Sequence, residues 1–227
     1  MSGAERYVKE HIIIGEGDAD KRFFEVLTQH RGCTEYQVAN PAGGASHFVD
    51  RLEGLKASPD FGQLSLVVLV RDCDDDPKAA FNDTCRQIAQ AGYLAPAESL
   101  NPGGKREGWP AVAVILLPWI DEPGCLETLI YEVMKDEYPA VAAGVESLLD
   151  QVPTKDCDVS KRSKARVACM IASVCKDDPG CSVAFMWYSE RRFLPLLAKP
   201  QFNRIADHLQ QLCGDGGQGT SALAQTL

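Results

Sequence analysis

The chain has 227 residues, is 45% hydrophobic and carries 23 Lys+Arg against 32 Asp+Glu, a formal net charge of −9. That length suits one large domain or a domain with an appendage, and the apolar share is enough for a proper core. The acidic balance excludes a protein that coats nucleic acid by bulk attraction; holding a polyanion would take a local basic patch or metal ions.

No apolar run approaches the ~20 residues a membrane helix needs, and the polar start MSGAERYVKEH does not read as a secretory signal. The nine cysteines are odd in number and none has C-x-x-C spacing. They are expected to be reduced thiols in a cytoplasmic protein. Cys169, Cys175 and Cys181 match no standard zinc-ligand spacing.

In chain order, residues 8–14 read as a first strand, followed by a helix from about Asp18 to Gln29 with Phe23, Phe24 and Leu27 on its apolar face. Thr34 to Ala39 reads as a second strand, Asn40-Pro41-Ala42-Gly43-Gly44 as a turn, and Ala45 to Leu55 as a helix. The third strand is 64–71. Pro77 opens a helix to about Ala91, 92–110 is a long loop, and Ala111 to Pro118 is a fourth strand. Helices are expected over 124–136, 139–151, 160–175 and 200–213. Strands that are almost continuous Val, Ile and Leu, alternating with helices, predict an α/β fold with a mostly parallel sheet flanked by helices. The expected organisation is a core over 1–123, a helical extension over 124–213 packed on that core, and a disordered tail over 214–227, rich in Gly, Ser, Gln and Ala.

The chemistry is expected where strands end. Ligands on parallel sheets sit at the carboxyl ends of strands. The third strand ends in Asp72-Cys73-Asp74-Asp75-Asp76, and this D-x-D offers hard oxygen donors suited to Mg²⁺ or Mn²⁺. Its bland reading is a solvated acidic loop, with Asp76-Pro77 as a helix start. The first strand ends at Glu16, with Gly15 and Gly17 free to turn sharply and Asp20 in the first helical turn. Asp18 is favoured as the N-cap of that helix. After the fourth strand, Glu127 falls early in the next helix, where an acid also favours the dipole without any function.

The order of apolar strand, E-G-x-x-D-x-x-F, second strand, Gly-rich turn, apolar strand and D-x-D resembles the Toprim domain of topoisomerases, primases, recombination proteins and the overcoming-lysogenization-defect nucleases. The motifs here are Glu16-Gly17-Asp18-Ala19-Asp20-Lys21-Arg22-Phe23 and Asp72-Cys73-Asp74. The segments around Pro118 to Glu127, Ser163 to Val167 and Phe193 to Leu209 resemble a family of small stand-alone Toprim-like prokaryotic proteins. The resemblance implies Glu16 as metal ligand or general acid/base, and Asp72 and Asp74 as the metal pair. It also implies that Asp20 and Glu127 complete a two-metal site, and that Lys164 stabilises charge on the scissile phosphate, with Lys161 also available. Arg71 departs from the pattern and is placed to pair with Asp72. No G-x-x-x-x-G-K-[ST] is present, so the ATPase half of those nucleases is missing.

The expected function is therefore Mg²⁺- or Mn²⁺-dependent phosphodiester hydrolysis on nucleic acid, with Lys105 and Arg106 of the long loop also meeting phosphate. Two readings compete. One is a D-x-D phosphatase with Asp72 as nucleophile, although two strands precede the motif here. The other is a non-catalytic interaction module working with a separate ATPase partner, using apolar surface around Trp187, Tyr188, Phe193 and Phe202.

Overall fold

The computed structural model describes residues 5–188 and 193–215. Four parallel strands form one sheet in the order β2-β1-β3-β4: β1 (His11–Ile14), β2 (Tyr36–Val38), β3 (Leu66–Asp72) and β4 (Ala111–Leu117). Among the described residues the helices are α1 (Asp18–Arg31), α2 (Phe48–Lys56), α3 (Pro77–Gln90), α4 (Leu126–Glu137), α5 (Pro139–Leu149), α6 (Val159–Val174) and α7 (Asn203–Asp215), with short 3₁₀ turns between. The fold is α/β, as the continuous apolar strands predict. No described helix is long and apolar enough to cross a membrane.

Strand alternation splits the core in two. Ile13, Val68, Val70, Ala113 and Ile115 pack with α1, α4, α6 and α7 around Phe23, Trp187 and Phe202. Ile12, Ile14, Val67, Leu69, Val112 and Val114 pack on the other face with Phe48, Leu52 and Ile88 of α2 and α3. The helices after β4 thus share one apolar cluster with the sheet. The long loop 92–110 lies along the free edge of β4, where Leu100 and Gly103 donate N–H groups to Val114 and Val112 carbonyls at 3.0 and 2.8 Å. A covered edge strand cannot pair with another chain.

Element ends differ from the sequence expectation where backbone geometry overrides composition. β1 starts at His11, not residue 8, and Val8 is exposed. β2 shortens to three residues. α2 starts at Phe48 because Gly43 and Gly44 take positive φ and hold the chain in a turn. The stretch expected as one helix from 200 is a 3₁₀ turn over Pro200–Phe202 followed by α7, which continues through Gly214 to Asp215. The rest of the expected tail, 216–227, lies outside the described residues.

Candidate metal centre

Four segments converge at the carboxyl rim of β1 and β3. The first is the β1–α1 turn. Gly15 is required there, since a Cβ would stand 2.4 Å from Asp20 Cβ. Gly17, not Asp18, is the N-cap of α1: Asp20 Oδ2 accepts the Gly17 N–H at 2.9 Å. Asp18 is exposed in the first helical turn. The Gly43 and Gly44 N–H groups both donate to the Glu16 carbonyl at 3.0 Å, fixing the backbone that carries that acid.

The second segment is the end of β3. Asp72 keeps the alternation of Val68 and Val70, so it turns toward α4 and α6, and its Oδ1 accepts the Leu126 N–H at 3.0 Å. Arg71 turns to the opposite face. It does not pair with Asp72. Its Nε lies 3.2 Å from Glu16 Oε1, and its Nη1 donates to the Ala45 carbonyl at 2.9 Å and to Asp83 Oδ2 at 3.4 Å. Glu16 Oε1 also accepts the Asp72 N–H at 3.0 Å, which places its carboxylate directly against the D-x-D. Asp74 has a φ of 50° and exchanges backbone hydrogen bonds with Gly124 at 2.8 and 2.6 Å. Its carboxylate is exposed, close enough for its charge to act on Glu16 and Lys164. Asp76 is the N-cap of α3, as the helix-start reading expects.

The third segment enters α4. Gly124 has a φ of +130°, and a Cβ there would meet Thr128 Oγ1 at 2.4 Å. Cys125 is the N-cap, with its N–H donating to Thr128 Oγ1 at 3.1 Å, and Glu127 follows in the first turn, 8% exposed. The fourth segment is the start of α6. Lys161 turns back to Asp158 at 2.7 Å, whereas Lys164 Nζ lies 4.0 Å from Asp72 Oδ2. The geometry thus separates two lysines that sequence alone leaves open.

The electrostatics are those of an under-neutralised acidic pocket. Burial raises the Glu16 carboxyl to about 7, against the opposing Arg71 charge and Asp72 N–H, with Asp20 and Asp74 adding to the rise. Burial and then the Glu127 charge raise Asp20 to about 6, despite the Gly17 hydrogen bond. Asp72 is pushed well above the carboxylate range by burial first, then by Asp20, Glu16 and Glu127. Burial alone would lower Lys164, but the charges of Glu127, Asp72, Cys125 and Asp74 outweigh it and raise its pKa.

Sequence reasoning missed one member. Asp72, Cys125 and Glu127 each offer a donor atom, all within 4.8 Å of one another. The available signal was Cys125 standing two residues before Glu127, at a helix start. These donors fit a divalent cation: carboxylate oxygens are hard ligands, and a cation among them removes the mutual repulsion that raises their pKa values.

Lys105 and Arg106 are not part of the site. The Lys105 charge acts on His11, at the amino end of β1, and Arg106 donates to the Gly92 carbonyl at 2.9 Å beside Trp109. The seven residues of β3 span about 20 Å, so both groups lie at the wrong end of the sheet. A cavity of about 530 Å³ lined by Pro118, Glu122, Leu129, Arg204 and Asp207 is likewise built from other residues.

The chain belongs to the family described as "Protein of unknown function (DUF3226)", which matches residues 10–214. The matched span contains every residue of the candidate centre. No curated protein and no solved structure matches the chain.

Proposed function

We propose that this protein is a divalent-cation-dependent phosphodiester hydrolase acting on nucleic acid in the cytoplasm, using Mg²⁺ or Mn²⁺ as the Toprim domains it resembles do. The observation that carries this reading is the convergence of Glu16, Asp20, Asp72 and Glu127, from three separate segments, with Lys164 from a fourth, at one rim of a parallel sheet. The bland alternative of a solvated acidic loop accounts for Asp75 and Asp76, which are exposed, but not for buried Asp20 and Glu127.

Asp20, Asp72 and Glu127 would hold the cation, with Asp74 at the solvent side. The bound ion would polarise a phosphoryl oxygen and make a nearby water more acidic. Glu16, with its carboxyl near 7, is poised to take or give a proton at working pH. Its Oε1 is engaged by Arg71 and the Asp72 N–H, so the proton would be carried at Oε2. Lys164 keeps its charge in this acidic surrounding and would face a non-bridging phosphate oxygen. With a net charge of −9, a cation bound here would offset the repulsion between this rim and a polyanion.

The test is incubation with single- and double-stranded DNA and RNA in Mn²⁺ or Mg²⁺. Cleavage that chelation and Asp72→Asn both abolish is expected. No cleavage above the Asp72→Asn control on any of the four substrates would count against this reading.

A further inference from the structure

Cys125 caps α4 and its thiol donates to the Ser160 carbonyl at 3.7 Å, but neither task needs sulfur. A thiol is a weak acceptor, and Ser, Thr, Asp and Asn are the strong N-cap residues. Yet Cys125 occupies the N-cap of α4, fully buried, with Asp72 and Glu127 donor atoms within 4.8 Å. Among the described residues, no other set of three such donors is as closely spaced.

A second observation points to a ligand at this place. Ser160 sits in the first turn of α6 on the face that also carries Ser163 and Lys164, one turn further on. Ser163 Oγ accepts from Thr128 Oγ1 at 2.9 Å, and the Ser160 carbonyl lies 3.7 Å from Cys125 Sγ, so this face lies against the start of α4. Ser160 is 4% exposed and its hydroxyl has no partner. A buried polar group without a partner costs free energy unless an unseen water or ion satisfies it. A water held by a cation between Asp72, Cys125 and Glu127 would do so.

We propose that Cys125 is a metal ligand, and that Asp72, Cys125 and Glu127 form a mixed carboxylate–thiolate site that takes a borderline divalent cation of the Zn²⁺ class in preference to Mg²⁺. This rests on reading the rim as a cation site, but not on the reaction proposed for it. Zinc lies about 2.0–2.3 Å from oxygen and sulfur donors in a tetrahedral site, which sets those donors about 3.3–3.8 Å apart, so atoms spread over up to 4.8 Å would draw together by about 1 Å on binding. On binding, the S–H bond breaks, its proton leaves to solvent and the sulfur lone pair forms the metal bond. No electrons are transferred. The three anionic donors then exceed the ion's charge by one, which Lys164 offsets. A sulfur donor is what distinguishes zinc-class ions from magnesium, which takes oxygen ligands and keeps its waters.

The experiment titrates the whole protein with cobalt(II) alone, followed by near-ultraviolet absorption, and with Zn²⁺ and Mg²⁺ by calorimetry. The variants are Cys125→Ser, Asp72→Asn and the exposed-thiol control Cys157→Ser. Cys125→Ser keeps a good N-cap, and circular dichroism checks its fold. The expected result is a thiolate-to-cobalt charge-transfer band in the wild type and in Cys157→Ser that is absent from Cys125→Ser. Zn²⁺ affinity should fall at least about tenfold in Cys125→Ser, the scale of even outer-shell changes, with Mg²⁺ affinity unchanged. Cobalt binding that Asp72→Asn weakens but that gives no band sensitive to Cys125→Ser would overturn thiolate ligation and leave the carboxylate site standing. Absence of binding for all three ions would overturn both. Ion binding without nucleic-acid cleavage would sink only the proposed reaction.

Discussion

Glu146 and Asp72 both lie partly buried against α6, with side chains 32% and 14% exposed, but their surroundings differ in kind. Glu146 accepts hydrogen bonds from Tyr131 Oη at 2.7 Å, Arg166 Nη2 at 3.1 Å and Arg162 Nη2 at 3.3 Å. Burial would raise its pKa, but these hydrogen bonds together outweigh burial and hold it below the ordinary value. Asp72 receives one backbone N–H and one lysine at 4.0 Å, while Asp20, Glu16 and Glu127 crowd it with like charge. The first cluster neutralises its carboxylate with two arginines and ties α4, α5 and α6 together. The second is unfavourable as it stands, and that is the condition in which a carboxylate binds a cation well.

The sharpest break of this contrast is functional. Asp72→Asn is expected to reduce Mn²⁺-dependent cleavage to background, whereas Glu146→Ala leaves the rate per folded molecule unchanged in the same assay. Next in size, Lys164→Ala should lower the rate by about 10²-fold, the usual loss for one group that stabilises transition-state charge. Lys161→Ala and Lys105→Ala, whose side chains point to Asp158 and to the far end of the sheet, should leave it unaltered.

Stability against pH comes third. The folded-state pKa of Glu16 is raised from 4.5 to about 7, so the native state binds its proton more tightly than the unfolded chain. Its contribution is therefore full at low pH and is lost as pH rises through that window. Without metal, thermal melts of Glu16→Gln and wild type should coincide near pH 4 or below. By about pH 8 the variant should melt several degrees higher, given the roughly 2–4 °C per kcal/mol of a chain this size. Saturating Mn²⁺ should close that gap. The smallest effect is a sign reversal in metal-free denaturation: Glu146→Ala should cost about 1–2 kcal/mol through lost hydrogen bonds, while Asp72→Asn should stabilise by a similar amount through relieved repulsion.

The fold was legible because β1, β3 and β4 are short runs of Ile, Val, Leu and Ala buried on both faces and alternating with helical segments, the pattern of a sheet covered on both sides. The acids at the ends of β1 and β3 were legible for the same reason, since the strand register fixes where the chain leaves the sheet. What failed depended on backbone turns and distance. Gly17 took the cap expected of Asp18 because Asp20 reaches back to its N–H. Arg71 paired with Glu16 because strand alternation sends it to the face opposite Asp72. Lys105 and Arg106 were assigned to phosphate by charge alone, although a loop entering β4 must lie at the amino edge of a parallel sheet. Cys125 is marked in the sequence only by standing two residues before Glu127 at a helix start, and it is folding that brings the pair to Asp72.

The most direct measurement is calorimetric titration of the metal-free protein with Mn²⁺, run in parallel on wild type, Asp72→Asn and Glu146→Ala. Saturable binding is expected from the wild type, the same binding from Glu146→Ala, and loss of binding from Asp72→Asn. No binding by the wild type, or equal binding by Asp72→Asn, would contradict a cation site at this rim.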